Sequence, residues 1–406
     1  MLLAMLSSSI PAVVPAAAVS EAGLIAKGEY ISRLADCGAC HTRPGGAPFA
    51  GGLPISTPFG TVMSSNVTPD RTTGIGAWSD ADFYRAVSEG IGRDGEYLYP
   101  AMSFTSFTKM RRSDVLAVKA YLFSLRPVHA PRLPDHLAFP FDMRWTMFVW
   151  RTLYFHPGVY RPNPKRSAQW NRGAYLIEGA GHCGECHSPR NIFGGTESEN
   201  SLAGGKVGEW LAPNISADPR WGIGNRSVDD IVTFLKTGSQ KSEGVAFGPM
   251  AQVVHDSLRY VSTADLQAMA VFLKSAPARG PSVADHVASR SELQHGQTLY
   301  LHDCAMCHQH GGRGFAGIVP NLAGNAAVAS AQPDNLIDAV LGGLHGTGSH
   351  GDMPGFAKAL RDQDVADIVN YVRAGWGNHA PTNATPALVA RLRAGRQKRA
   401  APLKVY

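Results

Sequence analysis

The chain has 406 residues, enough for about three domains of ordinary size. Hydrophobic residues make up 44% and support real cores, while only 17% are charged, and 44 Gly and 27 Pro point to compact domains with long, turn-rich loops. Net charge is +6, yet Arg391, Arg393, Arg396, Lys398, Arg399 and Lys404 lie in a tail without acids, so the remainder is near neutral and carries no basic stripe with interleaved aromatics for nucleic acid.

The first segment, Met1 to Ala18, is apolar and then rich in small residues, with Ala16-Ala17-Ala18 as an A-x-A cleavage site. It reads as a secretory signal peptide over 1–18, too short and too Pro-broken to span a membrane. No Lys or Arg precedes its apolar run. No other stretch approaches about 18 uncharged apolar residues, so no spanning helix is expected.

Next comes a Cys-x-x-Cys-His motif at Cys37, Cys40 and His41. It recurs at Cys183, Cys186 and His187, and again at Cys304, Cys307 and His308. This is the spacing of c-type haem attachment, in which two thiols add to the porphyrin vinyl groups and the adjacent histidine ligates the iron. The three copies use all six cysteines. A zinc site needs four ligands, usually with a second Cys pair, and nothing within each unit supplies that pair. A thioredoxin-like dithiol has no need of histidine after the second cysteine every time. Three covalently bound haem c groups are expected, and with them export, because c-type haem is attached on the outer side of the bacterial membrane.

Each motif sits in a similar frame. Gly28, Gly173 and Gly296 open a short helix upstream, followed by Tyr30, Tyr175 and Tyr300. Later each unit has a second amphipathic helix. Its early acid, Asp114, Asp265 or Asp364, is followed two turns on by Tyr121, Phe272 or Tyr371. Ser113, Thr263 and Asp362 are the candidate N-caps. The first and last helices of a unit can cross and close a small domain over one haem. The first two units are closer kin to each other, sharing Ser65-Asn66 through Gly74-Ile75-Gly76 with Pro213-Asn214 through Gly222-Ile223-Gly224. Pro-rich boundaries fall near 126–165 and 275–290. The first linker is dense in aromatics from Phe141 to Phe155 and reads as a helix or arm packed between the first two domains, or else as an exposed patch for a partner subunit or membrane.

A methionine opposite histidine raises a haem's potential and suits an electron carrier. Each unit offers one beside a loop proline: Met102 in Leu98-Tyr-Pro-Ala-Met, Met250 in Gly248-Pro-Met, and Met353 in Asp352-Met-Pro-Gly-Phe. Met63, Met110 and Met269 are local rivals, and His345 or His350 would make the third haem bis-histidine. His129, His156 and His286 read as surface or loop residues. There is no nucleotide fingerprint, no G-x-S-x-G and no outstanding carboxylate pair, so no catalytic residue is nominated. A haem enzyme with an open coordination site is the rival that would require one.

The motif set resembles the tri-haem cytochrome c subunit of bacterial periplasmic, membrane-associated dehydrogenases. Gly28-Glu-Tyr-Ile through His41, Phe49 to Leu53, Thr57 to Thr61, Ser65 to Asp70, Leu98 to Met102, Trp170 to Tyr175, Gly181 to His187, Gly248 to Met250, Pro320 to Gly324 and Met353 to Phe356 carry the likeness. It covers roughly residues 25–380. Departures are Ser103 after Met102, where Pro is common, Arg226 where the first unit has Trp78, and the weak signal peptide. The resemblance implies a mainly α fold of three consecutive class I cytochrome c-like domains with long loops, at 24–130, 165–278 and 288–378, before a basic tail at 379–406. It implies the ligand pairs His41 with Met102, His187 with Met250, and His308 with Met353. It further implies an electron-transfer subunit on the outer face of the bacterial inner membrane. Electrons arrive from a PQQ, FAD or molybdenum catalytic subunit and leave to ubiquinone or a downstream oxidase, with peripheral membrane contact. A stand-alone multihaem carrier or a module of a terminal oxidase is the alternative. The tail reads either as solvated and disordered or as a short basic helix that anchors electrostatically to anionic lipid.

Overall fold

The computed structural model describes residues 20–240, 244–280, 283, 286–345 and 351–400, with side chains to 396 in the last stretch. The expected signal peptide and His350 lie outside the described residues. The chain is mainly α-helical with small antiparallel sheets. Among the described residues, no helix is long and apolar enough to cross a membrane.

Three helix pairs dominate. In each, an opening helix before the Cys motif packs on a closing helix far downstream: Glu21–Leu34 on Arg112–Ser124, Ala168–Glu178 on Thr263–Leu273, and Arg290–Asp303 on Asp362–Ala374. The opening helices start alike. Ser20, Ser167 and Ser289 accept from the backbone N–H three residues on, at 3.1, 3.1 and 3.3 Å. The closing helices begin a residue or two earlier than Ser113, Thr263 and Asp362 imply. Their caps are Arg111, Ser262 and Arg361, and only Ser262 is a hydroxyl cap.

The glycines do not open these helices, as the sequence pattern implies; the helices start five to seven residues earlier, and Gly28, Gly173 and Gly296 lie inside them where each pair crosses. A Cβ added to Gly28 would lie 1.9 Å from the Ala117 carbonyl oxygen; on Gly173, 1.9 Å from that of Ala268; on Gly296, 2.1 Å from that of Asp367. Backbone meets backbone at these points, which only glycine permits. The closing-helix aromatic flanks each crossing, with Tyr121, Phe272 and Tyr371 Cβ atoms 2.9–3.0 Å from the same hypothetical carbon.

The tyrosines divide the repeats. Tyr30 and Tyr175 sit two residues past their glycine and reach across to the neighbouring unit. Tyr300 sits four past and turns inward, fully buried against Tyr371 and Trp376, with its hydroxyl on the Gln309 carbonyl at 2.7 Å. It is not the counterpart of the other two. One continuous core joins the first two units, from Ile31 and Leu34 to Leu266 and Phe272, whereas the third has its own core around Tyr300, Ile337, Val365 and Ile368.

A three-stranded sheet forms from Pro54–Thr57, Gly60–Met63 and His136–Leu137, so the first linker adds a strand to the first unit. The linker then forms the helix Thr146–Tyr154. Met147 and Trp150 are buried beside Phe104, and the Trp150 indole donates to the Phe193 carbonyl at 2.9 Å, tying both units together as the packed-arm reading expects. Its other face exposes Trp145, Phe148, Val149 and Leu153. The tail is a helix, Pro386–Ala400, docked on the third unit through fully buried Val389, with Arg393 paired to Asp362 at 2.7 Å. Up to residue 396 it is neither disordered nor free.

Candidate haem-attachment sites

Each Cys motif forms one short helical turn, at Cys37–His41, Gly184–His187 and Ala305–His308. In a helix, positions i, i+3 and i+4 share a face, so both thiols and the histidine of a motif are presented together. Burial pushes the thiols up, Cys37 and Cys183 to about 12 and Cys304 to about 11. A redox dithiol or zinc thiolate calls for the opposite, a depressed thiol pKa. Among the described residues, no three His, Cys, Asp or Glu side chains converge on a metal position. Burial also raises the Cys40 thiol to about 11, with added repulsion from Asp36 and Cys186, which makes the first two motifs neighbours in space.

The three histidines share one restraint. His41 Nδ1 meets the Ser65 carbonyl at 2.7 Å, His187 Nδ1 the Pro213 carbonyl at 2.7 Å, and His308 Nδ1 the Pro320 carbonyl at 3.3 Å. A carbonyl only accepts, so each Nδ1 carries the proton and donates. Nε2 is left with its lone pair free, the tautomer an iron ligand needs. Burial lowers all three histidine pKa values and keeps the rings neutral, although the carbonyl contacts oppose the shift. These residues fit a c-type haem: paired thiols, a neutral imidazole fixed from behind, and apolar surroundings.

The carbonyl partners were not anticipated from sequence. Their signal is an asparagine immediately after each: Asn66, Asn214 and Asn321. Asn66 Oδ1 accepts from the Thr68 N–H at 2.9 Å, and Asn214 Oδ1 from the Ser216 N–H at 2.8 Å, while their amides hold the Val128 and Arg279 carbonyls. Each pair locks the turn that aims its histidine-binding carbonyl. Asn321 holds its own turn through the Ala323 carbonyl at 2.8 Å.

The nominated methionines are all half-buried and lie between motif and closing helix. Met102 precedes the short helix Phe104–Phe107 and packs against both the shared core and the linker cluster. Met250 is the second residue of helix Pro249–Asp256, behind Gly248 at φ 55°, whose α-carbon faces the Trp210 indole. Met353 is held by a two-way backbone bridge to Leu344, at 2.8 and 3.0 Å. The rivals differ. Met110 and Met269 are buried filler at 2% and 1% exposure, and Met63 ends a strand. His345 projects fully into solvent beside Asp352. His129 and His156 are exposed, and His286 binds the Thr382 carbonyl at 2.8 Å.

The cytochrome c family matches residues 293–376, from the third opening helix through its closing helix. Over nearly the whole chain the similarity is to larger cytochromes. The cytochrome c subunit of a quinone alcohol dehydrogenase from Gluconacetobacter polyoxogenes is 39% identical over 92% of this chain and 85% of its own length. The gluconate 2-dehydrogenase cytochrome c subunit of Pantoea cypripedii is 38% identical over 91% and 89%. The fructose dehydrogenase cytochrome subunit of Gluconobacter japonicus is 36% identical over 91% and 83%. This chain belongs to the family of cytochrome c subunits of quinone-linked dehydrogenases. It is a periplasmic c-type cytochrome with several covalently attached haem c groups, an electron carrier and not the catalytic subunit. The mainly α fold stands, with small sheets added.

Proposed function

We propose that this cytochrome carries three haem c groups, on Cys37 and Cys40, Cys183 and Cys186, and Cys304 and Cys307. The iron of each would be held by His41 with Met102, His187 with Met250, and His308 with Met353. They sit in three consecutive class I cytochrome c-like domains at 24–130, 165–278 and 288–378. The observation that carries this reading is the histidine Nδ1 contact with a backbone carbonyl, made by all three motif histidines. Three glycine-mediated helix crossings support the matching domain division.

When bound, the haem would supply one-electron chemistry, held in each site by one histidine and one methionine. The protein's part is to hold Nε2 of each histidine in the ligating tautomer, to present the methionine sulfur from the opposite loop, and to surround the group with apolar side chains. Thioether ligation raises the potential into a range suited to accepting electrons from a dehydrogenase and passing them on. The chain thus receives electrons from a periplasmic catalytic subunit of PQQ, FAD or molybdenum type. It delivers them to ubiquinone or a downstream oxidase while held at the membrane surface.

A pyridine haemochrome assay on the matured protein tests the cofactor count, with about three haems per chain of thioether type expected. Two or fewer after full maturation would remove one motif from the reading. Co-purification with a large flavin-, quinone- or molybdenum-bearing subunit tests the role.

A further inference from the structure

The second residue inside each Cys-x-x-Cys differs from motif to motif, and in one motif it reaches a neighbouring unit. The second is Ala39 in the first motif, Glu185 in the second and Met306 in the third. Met306 is 86% exposed. Glu185 instead turns into the junction with the first unit, its side chain only 12% exposed. There Oε1 accepts from the Thr105 hydroxyl at 2.5 Å and from the Ser106 hydroxyl at 2.8 Å. Oε2 and the backbone carbonyl of Glu185 are both held by the Arg190 guanidinium.

Thr105 and Ser106 belong to the turn that follows Met102. The Phe104 N–H donates to the Met102 carbonyl at 2.7 Å, and the helix Phe104–Phe107 starts there. Phe104 and Phe107 anchor that helix in the core on one side, and Glu185 fixes its polar side. A second contact runs beside it. His182, just before Cys183, packs edge-on against Phe107 at 5.6 Å and lies 3.3 Å from the Ala35 carbonyl, two residues before Cys37. The attachment turn of the second motif therefore touches both the methionine loop and the cysteine turn of the first unit.

We propose that Glu185 is a positioning residue for Met102, through which the haem-attachment turn of the second unit holds the sixth-ligand loop of the first. This rests on Met102 being a ligand, and the test separates the two claims. A carboxylate accepting two hydroxyls from adjacent residues fixes the start of a short helix, which otherwise has no side-chain cap. A short loop freed at that point lets the sulfur leave its position by the small distance that ends ligation.

The test uses the full-length, haem-loaded protein and reads the long-wavelength methionine–iron absorption with the midpoint potentials. Glu185→Ala removes the acceptor, and Glu185→Gln keeps a carbonyl oxygen for Thr105 and Ser106 while losing the charge. Thr105→Ala with Ser106→Ala breaks the same contacts without touching the motif, and carries the test should Glu185→Ala fail to mature. Met102→Ala is the reference. Glu185→Ala and the double variant are expected to lose up to about one third of the absorption, the share of one methionine-ligated haem in three, and to lower one potential. Glu185→Gln retains the band. If Met102→Ala itself leaves the band intact, the ligand assignment falls. If Met102→Ala loses a third but Glu185→Ala and the double variant do not, positioning is overturned. Equal potential shifts in Glu185→Gln and Glu185→Ala, with the band unchanged in both, overturn it in favour of a pure charge effect.

Discussion

The Tyr30 phenol donates to the Asp265 carboxylate across 2.6 Å, although the two residues lie 235 positions apart. The same contact exists in reverse: Tyr175 donates to Asp114. Each phenol oxygen also accepts a backbone N–H from the partner unit, Ser262 at 3.3 Å for Tyr30 and Arg111 at 3.1 Å for Tyr175. A cation just before each glycine completes the set, with Arg172 on Asp265 at 2.8 Å and Lys27 on Asp114 at 2.5 Å. Units one and two are thus related by an approximate two-fold, as in an isologous dimer built within one chain. The third unit has Thr298 in the tyrosine position, and its Asp364 pairs with Arg361 of its own helix start.

Tyr30→Phe is expected to destabilise the paired first two units by about 1.5–3 kcal/mol, the range for a hydrogen bond to a charged group. Tyr175→Phe acts alike. Chemical denaturation followed at the haem absorption measures both. An unchanged midpoint when Tyr30→Phe and Tyr175→Phe are combined would mean the tyrosines are spectators.

The same contacts set a pH dependence. Burial alone would raise the Asp265 pKa, but the bonds from Arg172 and Tyr30 outweigh it and hold the group below its ordinary value. A carboxyl depressed in the folded state contributes stability above its unfolded pKa, near about 3.9, and loses it as pH falls through the folded value. Stability of the paired units should therefore decline below about pH 4, and Asp265→Asn should flatten that decline. A variant whose acid unfolding curve matches the parent's in slope would remove Asp265 from the account.

Gly296→Ala offers a test with an informative sign. Inside an exposed helix the change is stabilising by up to about 1 kcal/mol. Here the added carbon meets the Asp367 carbonyl oxygen at 2.1 Å, and backbone cannot step aside as a flexible side chain can. A loss of about 1–3 kcal/mol confined to the third unit is expected, the usual cost of overpacking. Thermal unfolding resolved for the third unit reads it, and any stabilisation would contradict the crossing geometry.

Much of this arrangement is legible in the sequence, and its limits are specific. The recurrence of glycine before each motif and of an aromatic two turns into the closing helix marks the crossings correctly, because close backbone approach leaves no choice of residue. The tyrosine register misleads: Tyr300 matches in type but sits two positions later, on another face of its helix. The histidine-binding carbonyls of Ser65, Pro213 and Pro320 are invisible as residue types, since any residue has a carbonyl. Only the asparagine that follows each one betrays the turn. The Tyr–Asp exchange between units joins residues over 60 apart or more, a separation periodicity does not reach.

Met353→Ala should lower one potential, open a sixth position to carbon monoxide, and remove about a third of the methionine–iron absorption. Exposure of the His345 imidazole leaves it facing solvent, so His345→Ala should leave the spectrum as it is. An unchanged spectrum in Met353→Ala, with loss on replacing His350 instead, would make the third haem bis-histidine.

The C-terminal helix carries a prediction about stability before any about membranes. Val389 is fully buried in the third core, Leu388 and Leu392 pack beside it, and Arg393 reaches Asp362 and the Leu360 carbonyl. Arg396 lies 3.7 Å from the buried Asp338 carboxylate. The apolar side that a lipid anchor would use is spent on the protein, and two of the cations are engaged. Truncation after Thr385 keeps the Pro381 and Asn383 groups that hold the buried Arg373. It removes the helix and uncovers the third core. Burying one Val and parts of two Leu side chains is worth about 2–4 kcal/mol, so the truncated protein should lose stability of that order in its third unit. A haem held in the third unit as proposed should also become accessible to external ligands. Membrane partition at low and high salt, measured on the same variant, gives the contrast. An intact third unit combined with salt-sensitive release from the membrane would restore the basic anchor as the helix's role. Loss of stability with unchanged partition would assign the helix to the fold of the third unit.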